Sequence, residues 1–425
     1  MKEGVEVVAG VLDAVERRDE GPQLEAFDPF RPTEAAAAAA DLAAAAAARR
    51  AGTTRRLRLL MVGRNRYRLP LNESLRRKFD ALERVFELRV VGSAPSGAPR
   101  RDGTFRLVPP FRPRSLDGAL FFATLPFTVA RELREFRPDA VVVQGAHEAA
   151  ASLVGRRLAG VPAKIVLDVH GDWRTATRLY GSPGRRLLSP LADRIAASAV
   201  RRADAVRTVS AYTTGLVGEL GVEPAAVFPA FMDLDPFLAP PEPLPERPSA
   251  LFVGVLEHYK DVDGLAAAWR LAAPRLPGVA LHVVGKGTRA HVVQALLRDL
   301  PEQTTWTPEL STREVAAALD RATVLVLPSR SEGMGRVLVE ALCRGRPVVA
   351  SRVGGIRDVI EDGVNGILVE PRRPGALADA LVRVLGDPAG AGPLAAAARP
   401  SVESWLATPE EYAQRLLALV EALRS

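Results

Sequence analysis

The sequence alternates short apolar runs, which are typical of buried strands, with longer amphipathic runs that are typical of helices. The alternation begins with a strand predicted at Leu57–Val62, a loop at Gly63–Leu71 and a helix at Asn72–Val85, and it continues with a helix predicted at Ala149–Ala159. It stops at the proline-rich stretch Asp235–Ser249 and restarts with a strand predicted at Ala250–Val253. Strand–helix alternation is the pattern of a parallel sheet covered by helices on both faces. Two such series predict two Rossmann-like, doubly wound α/β domains that face each other across a cleft.

The chain has 425 residues, which is too long for one hydrophobic core, so two core-bearing domains are expected. The predicted segments follow in chain order. They are an alanine-rich N-terminal extension at 1–54, a first Rossmann-like domain at 55–234, a proline-rich linker at 235–249, a second Rossmann-like domain at 250–400, and a C-terminal helix at 401–425 that can cross back to the first domain.

Composition excludes several classes of function. The net charge of +7 is not organised as a basic stripe interleaved with aromatic residues, so we expect no nucleic-acid partner. Cys343 is the single cysteine, which excludes an intrachain disulfide and a multi-cysteine metal site. The N-terminus lacks the pattern of a secretory signal, and the longest mostly apolar run, Ala119–Ala130, is too short to span a bilayer. These features predict a cytoplasmic protein, with contact at the inner face of the membrane left open.

The segment Val324–Ser351 carries the strongest chemical signal in the sequence. A buried strand is followed by a polar loop with Glu332, then by Gly333 and Gly335, and then by a helix. Glycine lets the backbone approach a ligand closely, and the free N–H groups at a helix start suit a diphosphate. The order of these features predicts a phosphate-binding loop rather than an ordinary strand–helix connection.

Two carboxylates flank this loop in the sequence. Glu332 lies at its mouth and Glu340 lies in the following helix, so the pair can accept hydroxyl groups on either side of a diphosphate. A second glycine pair, Gly354 and Gly355, precedes another helix and can add phosphate donors.

With these motifs, the sequence resembles the family 4 GT-B glycosyltransferases, which are retaining enzymes that use nucleotide sugars. The resemblance covers about residues 55–423 and is strongest over 250–370. It implies an acceptor-side first domain and a nucleotide-sugar-binding second domain. It also implies that one glutamate contacts the hexose, that the backbone after it contacts hexose or phosphate, and that the other glutamate holds the ribose. In this sequence those residues are Glu332, then Gly333, Met334 and Gly335, and then Glu340.

The resemblance also assigns the diphosphate. Lys260 matches the family's diphosphate lysine, whereas Val255 stands where the family has an arginine. One phosphate charge is therefore unassigned, with Arg336 or Arg352 as candidates. Two further glycines complete the donor site that the resemblance implies, Gly254 and Gly285.

The first domain matches the family less closely. His170, at a strand end, falls where the family places a histidine near the reacting sugar, so the implied catalytic set is His170, Lys260 and Glu332. Asp172 follows the same strand end as His170, His147 lies near the previous strand end, and both are assigned to the acceptor side. Their alternative is an ordinary structural role.

Three arginines follow the first strand at alternate positions, where family members often carry glycines. They are Arg64, Arg66 and Arg68. One interpretation is recognition of an anionic acceptor or a lipid phosphate, and the other is a solvated loop. A second basic and aromatic group either contacts a membrane surface or packs on the sheet. It comprises Arg112, Arg114, Phe121, Phe122, Phe127, Arg131 and Arg134.

We therefore predict a transferase that moves a hexose from a UDP- or GDP-sugar to a hydroxyl of a glycan, lipid-linked or small-molecule acceptor, with retention. Two Asp-x-Asp patterns, Asp233–Asp235 and Asp261–Asp263, are short enough to occur by chance, so no metal and no cofactor are predicted. The alternatives are a nucleotide-sugar epimerase or a non-catalytic sugar-nucleotide-binding protein on the same fold. A Rossmann dehydrogenase is disfavoured because no Gly-x-Gly-x-x-Gly follows the first strand of either domain.

Overall fold

The computed structural model describes residues 55–113, 116–174 and 183–424, without the side chains of 183–188 and 388–389. The alanine-rich extension predicted at 1–54 lies outside the described residues, as does Arg114.

The described residues form fourteen strands. They are β1 Leu57–Arg66, β2 Phe86–Ser93, β3 Arg101–Asp102, β4 Phe105–Val108, β5 Ala140–Gln144, β6 Lys164–Val169, β7 Ala205–Thr208, β8 Ala226–Val227, β9 Ser249–Val253, β10 Ala280–Val284, β11 Thr304–Thr307, β12 Val324–Leu327, β13 Val348–Ser351 and β14 Gly366–Val369.

Thirteen α-helices alternate with these strands in the same ranges. They are α1 Glu73–Val85, α2 Asp117–Phe136, α3 Ala146–Ala159, α4 Pro183–Arg202, α5 Ala211–Gly218, α6 Val262–Ala272, α7 Ala290–Asp299, α8 Thr312–Asp320, α9 Arg336–Cys343, α10 Ile356–Val359, α11 Pro374–Leu385, α12 Pro388–Ala398 and α13 Pro409–Ala422. None of the helices within the described ranges is both long and apolar enough to cross a membrane.

The strands assemble into two sheets. The first has the order β3-β4-β2-β1-β5-β6-β7-β8, and all its pairs are parallel except β3 with β4. The second has the order β11-β10-β9-β12-β13-β14 and is parallel throughout. Each order reverses at the first strand of its series, between β1 and β5 and between β9 and β12. Such a switch point opens a crevice at the carboxyl ends of the strands. The two doubly wound sheets confirm the predicted fold class.

Helices cover both faces of the first sheet. One face packs under α1 and α13, through buried side chains such as Phe79, Leu82 and Leu416. The other face packs under α2, α3 and α4, with Leu125 and Val129 among the buried side chains. The C-terminal helix α13 therefore belongs to the core around the first sheet, although it follows the second sheet in the sequence.

The proline-rich segment after the first domain is fixed by arginines of the second domain. Arg344 donates to Ala239 O at 2.7 Å, and Arg346 donates to Glu242 O at 2.8 Å and Pro243 O at 3.1 Å. Arg346 is fully buried while it makes these contacts. The segment predicted as a proline-rich linker is thus held against α8 and α9 by side-chain hydrogen bonds.

Two local predictions near the first crevice are wrong. The predicted loop Gly63–Leu71 is strand as far as Arg66, because the β1–β2 pairing resumes at Arg66 opposite Ser93 after an irregularity beyond Val62. The helix predicted from Ala149 begins at Ala146, so His147 lies in its first turn rather than in a loop.

Candidate active site

The candidate site lies at the switch point of the second sheet. After β9, the chain passes Gly254 and makes a 3₁₀ turn at His258–Lys260. After β12, it forms a loop that ends at Gly335, the N-cap of α9, where φ is +76°. The left-handed backbone at Gly335 favours glycine and turns the chain into the helix. The two loops therefore meet where the topology leaves a crevice.

Lys260 and Glu332 form an ion pair between these two loops. The Lys260 Nζ donates to Glu332 Oε1, and the Ser329 hydroxyl donates to the same oxygen at 3.1 Å. Each of the two charged side chains is only 11% exposed. Both predicted catalytic groups of the second domain are thus brought together, with partial burial that strengthens their electrostatic coupling.

The turn that carries Lys260 is held by its neighbours. Asp261 adopts a left-handed φ of 52° and caps α6 by accepting a hydrogen bond from Gly264 N at 3.3 Å. Arg330 donates to Asp261 Oδ1 at 2.6 Å and contacts His258 Nε2 at 2.8 Å. His258 and Arg330 were not predicted as site residues. The sequence gives little indication of this contact, because His258 and Arg330 lie on two loops that are 72 residues apart in the chain.

Glycines at this site permit contacts between backbones. A Cβ on Gly333 would lie 1.8 Å from His170 O and 3.1 Å from Gly171 Cα. A Cβ on Gly355 would lie 1.9 Å from Gly333 O. Such distances exclude any side chain, so the loop after β12 lies between the end of β6 in the first domain and the loop after β13. The backbone of His170 therefore lies against the Glu332 loop.

Two other glycines predicted for the donor site also lie against backbone carbonyl groups. Gly285, with φ of +145°, would place a Cβ 1.8 Å from Gly254 O, and Gly354, with φ of +51°, would place one 2.1 Å from Glu332 O. A role in backbone packing therefore accounts for these glycines, beside the predicted role in binding the donor. Met334, between the two glycines of the motif, is buried.

Glu340 lies one turn into α9 and is buried. Its Oε1 accepts a hydrogen bond from Arg336 Nε at 2.6 Å, and burial raises the pKa of the carboxyl while Arg336 opposes that rise. Arg352, the other candidate for the missing phosphate cation, pairs with Asp362 and lies 3.6 Å from Glu370. Both candidate arginines are therefore engaged by carboxylates.

His170 is joined to a buried charged cluster under the first sheet. Its Nε2 lies 2.8 Å from Asp168 Oδ2, and Arg207 donates to Asp168 Oδ1 at 2.5 Å. The Arg207 guanidinium lies 5.6 Å from the ring centre of Tyr412 in α13, and the Lys78 ammonium lies 5.5 Å from the same ring. This cluster was not predicted from the sequence, although Asp168 and Arg207 are charged residues within strands of mostly apolar character.

The residues predicted for the acceptor side lie in different environments. Arg64 donates to Asp117 Oδ2 at 2.9 Å and so joins the end of β1 to α2, whereas Arg66 and Arg68 are exposed. His147 packs against the ring of Phe122, with 6.2 Å between ring centres. Burial lowers the pKa of His147.

Asp172 and Glu148 are two further polar residues near the first crevice. Asp172 Oδ1 accepts hydrogen bonds from both the backbone N and the Nε of Arg174, each at 2.9 Å. This oxygen of Asp172 is therefore already engaged within the protein. Glu148, beside the switch point between β1 and β5, was not assigned to the site. Burial raises the pKa of its carboxyl. In the part of the chain that the structure describes, no group of three or more His, Cys, Asp or Glu could hold a metal ion.

The first and second domains also touch beside the site. The Ser210 hydroxyl donates to Gly333 O at 3.4 Å, and Tyr212 N donates to Asp358 Oδ2 at 2.8 Å. Both donors belong to the N-terminal end of α5, and Asp358 lies in α10. These hydrogen bonds hold the two domains together beside the Glu332 loop.

The buried Lys78 makes the free energy of unfolding depend on pH. Burial lowers the pKa of Lys78 from 10.5 to about 8, although Asp168 raises it. Between these values the unfolded chain binds a proton that the native state has lost, so raising the pH favours the native state. Burial raises the pKa of Cys343 from 9.0 to about 11, which opposes this gain above pH 9.

We expect Lys78 to add about 1 kcal/mol to the free energy of unfolding between pH 8 and pH 9. Urea denaturation at both pH values measures it. Lys78→Met should remove this rise, whereas Lys286→Met, at an exposed position, should keep it. An unchanged pH dependence in Lys78→Met would contradict the assignment.

Comparison with known proteins agrees with this architecture. A model of "Glycosyltransferase Family 4" matches residues 72–236, and a model of "Glycosyl transferases group 1" matches residues 247–387. Together they span more than two thirds of the chain. The chain therefore belongs to the family 4 glycosyltransferases, and its fold is GT-B.

Individual relatives resemble parts of the chain. It is 37% identical over 174 residues to a glycogen synthase from Mycobacterium tuberculosis, covering 40% of this chain and 42% of that enzyme. It is 30% identical over 236 residues to a GDP-mannose-dependent alpha-(1-6)-phosphatidylinositol monomannoside mannosyltransferase from Mycolicibacterium smegmatis, covering 50% and 62%. The chain thus aligns with less than two thirds of these curated relatives. The fold matches sucrose-phosphate synthase from Thermosynechococcus elongatus with a TM-score of 0.65 and 19% identity, over 85% of this chain and 97% of that one.

Proposed function

We propose that the protein transfers a hexose from a nucleoside-diphosphate sugar to a hydroxyl acceptor with retention of anomeric configuration. The observation that carries the proposal is the Lys260–Glu332 pair at the switch point of the second sheet, in a loop whose next residue, Gly333, lies against the backbone of His170 in the first domain. A cation and a carboxylate meet there, and the backbone of a histidine from the facing domain lies against the same loop. Family membership supports the assignment of this place to glycosyl transfer.

The donor half of the proposal rests on charge. Lys260 and the N–H groups at the start of α9 supply positive potential for a diphosphate. When the donor binds, Lys260 exchanges Glu332 for phosphate oxygens, and Glu332 becomes free to accept a sugar hydroxyl. Glu340, held by Arg336 at 2.6 Å, is assigned to the ribose hydroxyls. Preorganised charge of this kind stabilises the negative charge that develops on the leaving diphosphate.

The reaction needs the anomeric carbon to gain oxocarbenium character while the C1–O bond to the diphosphate breaks. In the proposed route the acceptor hydroxyl attacks from the face that the diphosphate leaves. Its proton passes to a leaving phosphate oxygen, so no protein carboxylate acts as a nucleophile. His170 contacts the sugar from the first domain. The residues named here supply the positive charge themselves, and we propose no metal and no cofactor.

The acceptor half rests on fewer groups. Arg66 and Arg68 are exposed beside the switch point of the first sheet and favour an acceptor that carries an anionic group. The related mannosyltransferase is named for a phosphatidylinositol acceptor, which has such a group. The proposed acceptor class remains a glycan, a lipid-linked saccharide or a small molecule, reached in the cytoplasm or at the inner face of the membrane.

A panel of UDP-, GDP- and ADP-sugars tests the proposal by the rise in thermal midpoint that each produces. At least one sugar nucleotide should stabilise the protein more than its free nucleoside does. The product formed with that donor should carry an axial or equatorial anomeric bond that matches the donor. No rise with any sugar nucleotide, or an inverted product, would contradict the proposal.

The same panel separates the alternatives. A changed sugar nucleotide formed without acceptor would indicate an epimerase. Binding without turnover across acceptors, including phosphorylated ones, would indicate a sugar-nucleotide-binding protein. Val255, which is exposed where the family resemblance implies an arginine, is the observation that keeps the second alternative open.

A further inference from the structure

Two charged residues lie side by side in the interior of the first sheet. Asp168 in β6 and Arg207 in β7 are register partners, and their side chains are 1% and 0% exposed. They lie beyond Val166 and Ala205, which face the apolar core under α1 and α13. Apolar residues would fill such positions at no loss of stability, and often with a gain. A buried ion pair at this place therefore calls for a reason other than stability.

Arg207 is fixed in one orientation by three acceptors. It donates to Asp168 Oδ1 at 2.5 Å, to Phe228 O at 2.7 Å and to Pro229 O at 2.6 Å. Its guanidinium also lies 3.8 Å from the ring centre of Phe228. The guanidinium thus holds one carboxylate oxygen of Asp168, and the other oxygen is directed to His170 Nε2 at 2.8 Å.

This arrangement determines which ring nitrogen of His170 carries the proton. Burial by itself raises the pKa of Asp168, but Arg207 and then His170 bring it well below its usual range. An ionised carboxylate only accepts hydrogen bonds. His170 Nε2 must therefore donate to Asp168, and in the neutral ring Nδ1 is left with a lone pair.

We propose that Arg207 and Asp168 are positioning residues that hold His170 as the Nε2–H tautomer and present Nδ1 as an acceptor to a substrate hydroxyl. The proposal rests on the proposed function for the identity of that hydroxyl. The tautomer itself is a property of the protein alone. The carbonyl of His170 lies against the Glu332 loop at Gly333, and the His170 side chain is 41% exposed.

Nitrogen NMR of the full chain labelled with ¹⁵N-histidine tests the tautomer without any substrate. The chain has five histidines, and the spectrum of His170→Gln assigns the signal of His170. Above pH 7.5 the wild type should show a protonated Nε2 and an unprotonated Nδ1 at His170. Asp168→Asn should give an averaged or reversed pattern, and Arg207→Lys, which retains the charge, should keep the wild-type pattern. A wild-type pattern in Asp168→Asn would overturn the proposal.

Arg207→Met alone leaves Asp168 uncompensated in the core and can unfold the protein. The double variant Asp168→Asn/Arg207→Met removes both charges and should recover most of the thermal midpoint. With the sugar nucleotide found in the donor panel, it should still show at least a tenfold lower kcat at an unchanged donor KM. Recovery of kcat together with stability would show that the pair is structural only and would overturn the proposal. If no donor binds, the proposed function fails while the NMR result still decides the tautomer.

Discussion

Gly333→Ala is expected to reduce kcat/KM at least a hundredfold while both domains remain folded. The added Cβ would lie 1.8 Å from His170 O and 3.1 Å from Gly171 Cα, and real Cβ atoms do not approach another atom as closely as the first distance. Both contacts are with backbone, so no side chain can rotate away. The loop that carries Glu332 must move from the first domain, and a displacement of about 1 Å can cost roughly 100-fold in rate.

The matched control is Gly215→Ala in α5. A Cβ there has nothing within 4 Å, and the position is inside a helix, so activity should be unchanged and stability should rise by up to about 1 kcal/mol. Steady-state kinetics and the thermal midpoint measure the two effects separately. Full activity in Gly333→Ala would show that the domains do not need this contact during turnover.

The fold and the second-domain site were predictable because their signals are local. The strand, the loop with Glu332 and the helix follow one another within the single segment Val324–Ser351, and Lys260 lies in a short turn after a strand. Parallel topology then brings these two loops together without further information. For this reason the sequence predicted the Lys260–Glu332 neighbourhood, whereas the functional roles of the two residues stay proposals.

The first-domain site was less predictable because its contacts join distant parts of the chain. Arg64, in β1, was interpreted as a ligand or a solvated group, yet its partner Asp117 lies in α2, 53 residues further along the chain. The pairing of Asp168 with Arg207 was not predicted, because it depends on strand register and burial, which are set only when the sheet forms. A charge inside each of two buried strands is a signal that sequence analysis can use, since such charges need each other.

Lys260→Ala and Glu332→Gln are expected to lower kcat/KM by a hundredfold to a thousandfold each, in different ways. Removal of one preorganised charge that stabilises the developing diphosphate costs about 3–4 kcal/mol of the barrier. Lys260→Ala should also weaken binding of the free nucleoside diphosphate, because its ammonium is assigned to the phosphates. Glu332→Gln should lose turnover while it binds the nucleoside diphosphate at least as tightly as the wild type.

That last result follows from the ion pair between the two residues. Glu332 competes with the diphosphate for the Lys260 ammonium, and glutamine keeps the shape of the side chain without the competing charge.

The pair Lys286–Glu309 is a suitable control, because it joins the same residue types on the surface with side chains 66% and 73% exposed. Lys286→Ala and Glu309→Gln should therefore leave kcat/KM within about twofold of the wild type, as expected for an exposed ion pair. Calorimetric titration with UDP and GDP measures the dissociation constant of each variant for the nucleoside diphosphate. Weaker nucleotide binding in Glu332→Gln would place the carboxylate on the nucleotide rather than on the sugar, because removal of a group that only competes for Lys260 cannot weaken that binding.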